Sequence, residues 1–190
     1  MYTSSMHAKF DERKTTQASA LFIHFCGVKQ MPYIKLIKLL YLTDREALFR
    51  WGRPVTFDKY VSMDNGPVLS QTLDLITEEP EPGKKHYWFE YISEPKNYAV
   101  SLKKDPGQED LSEAEVSLIK QIAEKYGKMD KWKLIDDIMH KLPEWIDPNG
   151  SAIPIDYKDI LRASNKTPQE IASILQELDF IQSSKEFLEK

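Results

Sequence analysis

Asp136 and His140 stand four residues apart in the run "DDIMH", a spacing that puts an acid and an imidazole on one face of a helix. Such a pair could do general-base work, but it needs a nucleophile or substrate that the neighbouring residues do not supply. The plainer reading is a histidine tied to a nearby carboxylate or backbone carbonyl. His24 lies inside an apolar run, His86 opens an aromatic one, and no HExxH or CxxC spacing occurs, so no metal site is expected. Neither GxGxxG nor GxxxxGK[ST] occurs, which leaves nucleotide binding by those routes unsupported and no cofactor predicted. Asn65-Gly66 ahead of a helical pattern could offer backbone N–H groups to an anion, yet Pro67 removes one donor, and a turn is the preferred reading. The densest basic run is "KYGKMDKWK", with Lys125, Lys128, Lys131 and Lys133, and its plainer meaning is a solvated face. No catalytic residues are assigned, and the chain is not expected to be an enzyme.

The elements that must position these groups follow from periodicity. Ala18, Leu21, Phe22 and Phe25 recur at helical spacing, with Gly27 where a left-handed C-cap belongs. "PYIKLIKLLYLTDREALFRWG" opens on Pro32 and closes on Gly52, and is apolar except for a thin stripe through Lys35, Lys38 and Arg45. A helix patterned this way is the central, buried one. A strand is predicted near Lys59 to Met63, ended by Asn65-Gly66-Pro67, and a short helix over Val68 to Ile76 follows. "HYWFEYI" and "NYAVSL" have strand composition and are predicted to form a hairpin that pairs with the earlier strand. Ser112 with Glu115 makes a capping box, Asp130 is an N-cap, and Pro143 stops the helix that Asp130 begins. "DYKDILRASNKTPQEIASILQELDF" reads as two short helices, the second opened by Thr167, Pro168 and Glu170. The fold class is α+β: a mainly helical single domain of about six helices with a small antiparallel β-sheet. Residues 1–14 are an N-terminal arm, 15–150 the main domain, and 151–190 a C-terminal helical extension packed on it.

Composition narrows the function classes. The 190 residues include 41% hydrophobic and 29% charged side chains, enough to bury a continuous core. The balance of 26 basic against 30 acidic side chains, a net charge of −4, works against non-specific binding to a polyanion. The lone cysteine, Cys26, permits a reducing compartment. "MYTSSMHAKFDERK" has no apolar leader core and no run approaches a membrane span, so a cytoplasmic location is expected. The C-terminal helix pair has a helix-turn-helix outline, but its second helix presents Glu170 and Glu177, which phosphates would repel. DNA binding is therefore the secondary reading.

The order "KLIKLLYL", then "NGPV", then "LSEAEVSLIKQIAEKYGKMDKWKLIDDIMHKLPEW" resembles the Panacea domain, the SocA-like antitoxin family of bacteria and their phages. Lys35, Leu36, Lys38, Leu39, Leu40 and Tyr41 match its K-L-x-K-L-L-Y helix, and Asn65, Gly66, Pro67 and Val68 its G-P turn. His140, Pro143 and Trp145 match its late H-x-x-x-P-W element loosely, because Glu144 intervenes. The resemblance spans roughly Ala18 to Asp147. It implies a non-enzymatic antitoxin that binds and neutralises a cognate protein toxin, and some members of the family look like adaptors that pass the toxin to a cytoplasmic protease. It also implies partner-binding residues among Lys35, Lys38, Tyr41, Asn65, Gly66, Pro67, His140 and Trp145. The aromatic segment adds Tyr87, Trp88 and Phe89, because with Tyr91 it holds more rings than one buried strand face can use.

Overall fold

The computed structural model describes residues 10–79, 83 and 85–188. Residues 1–9 of the expected arm lie outside the described residues. The chain then enters helix α1 (Glu12–Phe25), whose N-terminus is capped by Asp11 accepting from Lys14 N–H. Gly27, at φ 65°, turns the chain out of α1. Strand β1 (Met31–Pro32) leads into α2 (Tyr33–Trp51), which ends on the left-handed Gly52. Helix α2 buries Leu36, Ile37, Leu39, Leu40, Tyr41 and Leu42 and packs against α1 and several later elements, so it is the axis of the core.

After α2 come β2 (Tyr60–Met63), β3 (Gly66–Leu69), α3 (Ser70–Thr77), α4 (Tyr87–Tyr91) and β4 (Ala99–Val100). The second half holds α5 (Glu113–Tyr126), α6 (Lys131–Asp137), a 3-10 turn at Met139–Lys141, β5 (Ile153–Ile155), α7 (Tyr157–Arg162) and α8 (Pro168–Leu188). The described residues thus contain eight α-helices, two more than the periodicity suggested, with two small antiparallel sheets. The class is α+β. Both capping boxes form: Ser112 with Glu115 opens α5, and Thr167 with Glu170 opens α8. Asp130 accepts from Trp132 N–H to start α6.

The sheets differ from expectation in their partners. "HYWFEYI" is not a strand but the short helix α4, because Glu12 of α1 accepts from Trp88 N–H at 2.9 Å while the Trp88 ring packs into the core. Five apolar residues carry too few periods to separate helix from strand, and a tertiary carboxylate decides. "NYAVSL" pairs with β1, Met31 opposite Val100, and not with β2. Strand β2 is instead the middle of a β3-β2-β5 sheet. The residues expected to end the strand turn the chain into β3, where Pro67 stands opposite Ser62 on an edge strand. The third strand comes from Ile153–Ile155, and Ile155, Ile160 and Leu161 join the same core as α2. Helix α8 runs 21 residues, longer than the short helix expected.

Candidate functional site

The three motif regions meet on the β2–β3 hairpin. Lys38 lies on the face of α2 that packs against β3, and its side chain is fully buried. Its Nζ donates to the Gly66 carbonyl at 3.0 Å and the Pro67 carbonyl at 2.7 Å. With two carbonyls and no carboxylate as its partners, burial pushes its pKa down to about 7. A neutral amine has two N–H donors, which matches those two acceptors.

Gly66 sits at φ 91°, and a Cβ there would come within 2.8 Å of Met139 Cβ. The 3-10 turn is therefore seated directly on the hairpin. From it, His140 Nε2 donates to the Asp64 carbonyl at 3.0 Å, and its ring stacks on Trp145 with centroids 4.3 Å apart. Trp145 Nε1–H donates to the Met63 carbonyl at 3.0 Å. Ile146 N–H donates to Ser62 Oγ and Gly150 N–H to Asp64 Oδ1. The carbonyls of residues 63, 64, 66 and 67 are thus all held by side chains from distant segments.

One turn beyond Lys38, Tyr41 donates to Glu144 at 3.0 Å, and Arg45 Nε meets the same carboxylate at 2.6 Å. Glu144, the residue that separates Pro143 from Trp145, is therefore a buried anchor between α2 and the late segment. Burial, with Glu144 beside it, raises the Tyr41 pKa well above that of a free phenol.

Two carboxylates that sequence reasoning passed over complete the arrangement. Asp44, fully buried, accepts from Val55 N–H, Thr56 N–H, the Thr56 hydroxyl and Tyr60 OH. Asp58 accepts from Lys59 N–H, Gln71 N–H, Thr72 N–H and the Thr72 hydroxyl, and so caps α3 from outside that helix. Burial raises both to about 6 against the donors that pull them down. The available signal was an acid set inside an otherwise apolar run in each case, "LLYLTD" and "VTFD".

The remaining candidates lie elsewhere. Lys35 Nζ donates to the Gly127 carbonyl at 2.6 Å, away from the hairpin. Asn65 is exposed at the hairpin tip, while Gly66 and Pro67 are buried. Tyr87 and Phe89 are half-buried on α4, with the Arg13 guanidinium 4.4 Å over the Tyr87 ring. Trp88 is 0% exposed, which corrects its placement on a contact surface: it is a core residue against α1. The Asp136 carboxylate stands 3.8 Å from His140 Nδ1, but Nε2 is already committed to the Asp64 carbonyl. Among the described residues no three His, Cys, Asp or Glu side chains converge as a metal site. Among them, too, no helix is long and apolar enough to cross a membrane.

A family model described as antitoxin SocA-like, Panacea domain, matches residues 36–146, more than half of the chain. That span takes in Lys38, Tyr41, the hairpin, His140, Glu144 and Trp145. No curated protein and no solved structure matches the chain.

Proposed function

The chain belongs to the SocA-like antitoxin, Panacea domain family, and from that premise we propose that it is a non-enzymatic, cytoplasmic binding module that neutralises a cognate protein toxin by direct contact. The match over residues 36–146 carries the reading. The hairpin arrangement supports it chemically. Its lysine, histidine, tryptophan and carboxylates spend their hydrogen bonds on the protein's own backbone and side chains, which is how a rigid recognition scaffold is built.

The test is co-expression with the protein encoded beside this chain, scoring growth and recovery of a complex. Rescue with a stable complex is the expected result. A toxic neighbour that is neither rescued nor bound would end the reading. In its finer form the module also hands the toxin to a cytoplasmic protease, so toxin half-life should shorten when the chain is present and lengthen in a protease-deficient strain. The alternative, a DNA-binding regulator, uses the α7–α8 pair. It gains nothing from Glu170, Glu177 and Asp179, all exposed on α8, and it requires an affinity that falls steeply with salt.

A further inference from the structure

Three turns, distant in sequence, meet at the start of α2. Tyr33 N–H, at the first residue of α2, donates to the Tyr98 carbonyl at 3.0 Å, which fixes the turn Lys96–Ala99 there. Lys35, one half-turn on, reaches the Gly127 carbonyl at 2.6 Å, which fixes the turn between α5 and α6. Gly127 also abuts the turn after α1, since a Cβ at that position would lie 2.6 Å from Cys26 Sγ.

This end of the molecule is basic in a chain of net charge −4. Residues 26–32, 96–99 and 126–131 contain Lys29, Lys96, Lys128 and Lys131, four cations, against one carboxylate, Asp130. That carboxylate is spent on capping α6 through Trp132 N–H. Among the described residues Lys29, Lys96 and Lys128 have no ion-pair partner, unlike Lys14, which meets Glu115 at 2.7 Å. Helix α2 itself starts at Pro32 without a side-chain cap, so the positive end of a 19-residue helix adds to the field.

An exposed aromatic ring stands on the same end, two residues after Lys96. Tyr98 is 74% exposed, at φ 60°, and follows Asn97 at φ 52° in a two-residue hairpin loop closed by Lys96 N–H to Ala99 O and Ala99 N–H to Lys96 O. A loop of that shape suits Asn-Gly, because glycine takes positive φ without steric penalty. A tyrosine there is conformationally costly and gains little contact within the chain, its ring meeting Tyr33 at a centroid distance of 6.3 Å. Val28, 39% exposed, adds an apolar neighbour on the turn after α1.

We propose that this end, which carries exposed Tyr98 and the lysines of the three turns, is the docking surface for the toxin, and that the partner presents an acidic surface segment to it. Charge complementarity selects the partner: unpaired lysines on the same end as an exposed tyrosine favour carboxylates with an apolar contact beside them. The inference rests on the antitoxin reading above, and it places the contact surface away from the hairpin, whose groups are internally spent.

The experiment titrates the full-length chain with the purified protein encoded beside it, at low and high salt. It compares wild type, Tyr98→Gly and the double variant Lys29→Glu/Lys128→Glu. The expected result is a loss of at least tenfold in affinity for each variant and weaker wild-type binding at high salt. Tyr98→Gly should keep or raise the melting temperature, which separates lost contact from lost fold. Wild-type binding with both variants unchanged would overturn the surface while leaving the antitoxin reading intact. A toxic neighbour that wild type itself does not bind would overturn both. The same proteins are also tested against a fluorescein-labelled single-stranded 20-mer oligonucleotide. Oligonucleotide binding abolished by the charge reversal, with toxin affinity unchanged, would make the patch a nucleic-acid surface and overturn the proposal.

Discussion

The turn at Asp64–Gly66 joins the antiparallel strands β2 and β3, the turn at Lys96–Ala99 is closed by an isolated antiparallel bridge, and each needs positive φ, at Gly66 in one and at Asn97 and Tyr98 in the other. The first is buried behind its tip and held by Lys38, His140 and Trp145 through the backbone carbonyls of four residues. The second is exposed and held mainly by its own loop bonds and Tyr33 N–H. One uses glycine because a neighbour leaves no room for a Cβ; the other tolerates tyrosine because its side chain points to solvent. The contrast separates two uses of tight turns: polar groups that fix geometry are satisfied internally, and groups available to a partner are left unpaired.

The largest way to break the contrast is to strip the buried side of its acceptors. Asp44→Ala leaves two backbone N–H groups and the hydroxyls of Thr56 and Tyr60 without their carboxylate, and should cost about 3–5 kcal/mol by chemical denaturation. A loss within error of zero would mean these donors find water and the network is not structural.

Gly66→Ala should cost about 2–3 kcal/mol, from a strained φ and a Cβ that collides with Met139. The same measurement at Gly83, which has open space around it, isolates the steric part.

Lys38 supplies a pH dependence with a definite sign. Its folded pKa is lowered to about 7 from 10.5, so between those values the unfolded chain binds the extra proton. Stability from this group therefore rises with pH from about 7 towards 10.5, by about 1.4 kcal/mol per unit at most, and the penalty of the buried charge is full below 7. Denaturation midpoints of wild type and Lys38→Met at pH 7 and pH 9.5 check this. The difference between the two proteins should move in favour of wild type as pH rises, and parallel curves would show that Lys38 keeps its proton.

The smallest effect sharpens the comparison from the exposed side. Tyr98→Gly relieves a left-handed tyrosine and should stabilise the fold by about 1 kcal/mol, read as a higher melting temperature. A lower melting temperature would show that the ring packs as well as presents itself.

Much of the helical frame was legible because its signals are local. Gly27, Gly52, the Ser112–Glu115 and Thr167–Glu170 boxes and the Asp130 cap all act within a few residues of chain, and each forms as expected. The sheets were not legible, because pairing β1 with β4 and β2 with β5 is decided by residues far apart. Helix α4 has the composition of a strand and was not legible for the same reason: the partner of its N–H, Glu12, lies on α1. At the candidate site the motif residues Lys38, Tyr41, Gly66, Pro67, His140 and Trp145 converge as one unit, yet Lys35 points to Gly127 and Trp88 into the core. The roles of Lys38, Asp44 and Asp58 could not be seen without knowing which side of α2 faces β3. Within the sequence the lysine run reads as a solvated face, and only the folding of three turns together brings the turns that carry Lys128 and Lys131 to the same end as those of Lys29, Lys96 and Tyr98.

The most direct measurement is isothermal titration of the purified full-length chain into the protein encoded beside it, once expression of that neighbour is shown to arrest growth. Saturable heat and a stable complex that abolishes the arrest are expected. A toxic neighbour that gives no binding heat and is not neutralised would contradict the antitoxin reading.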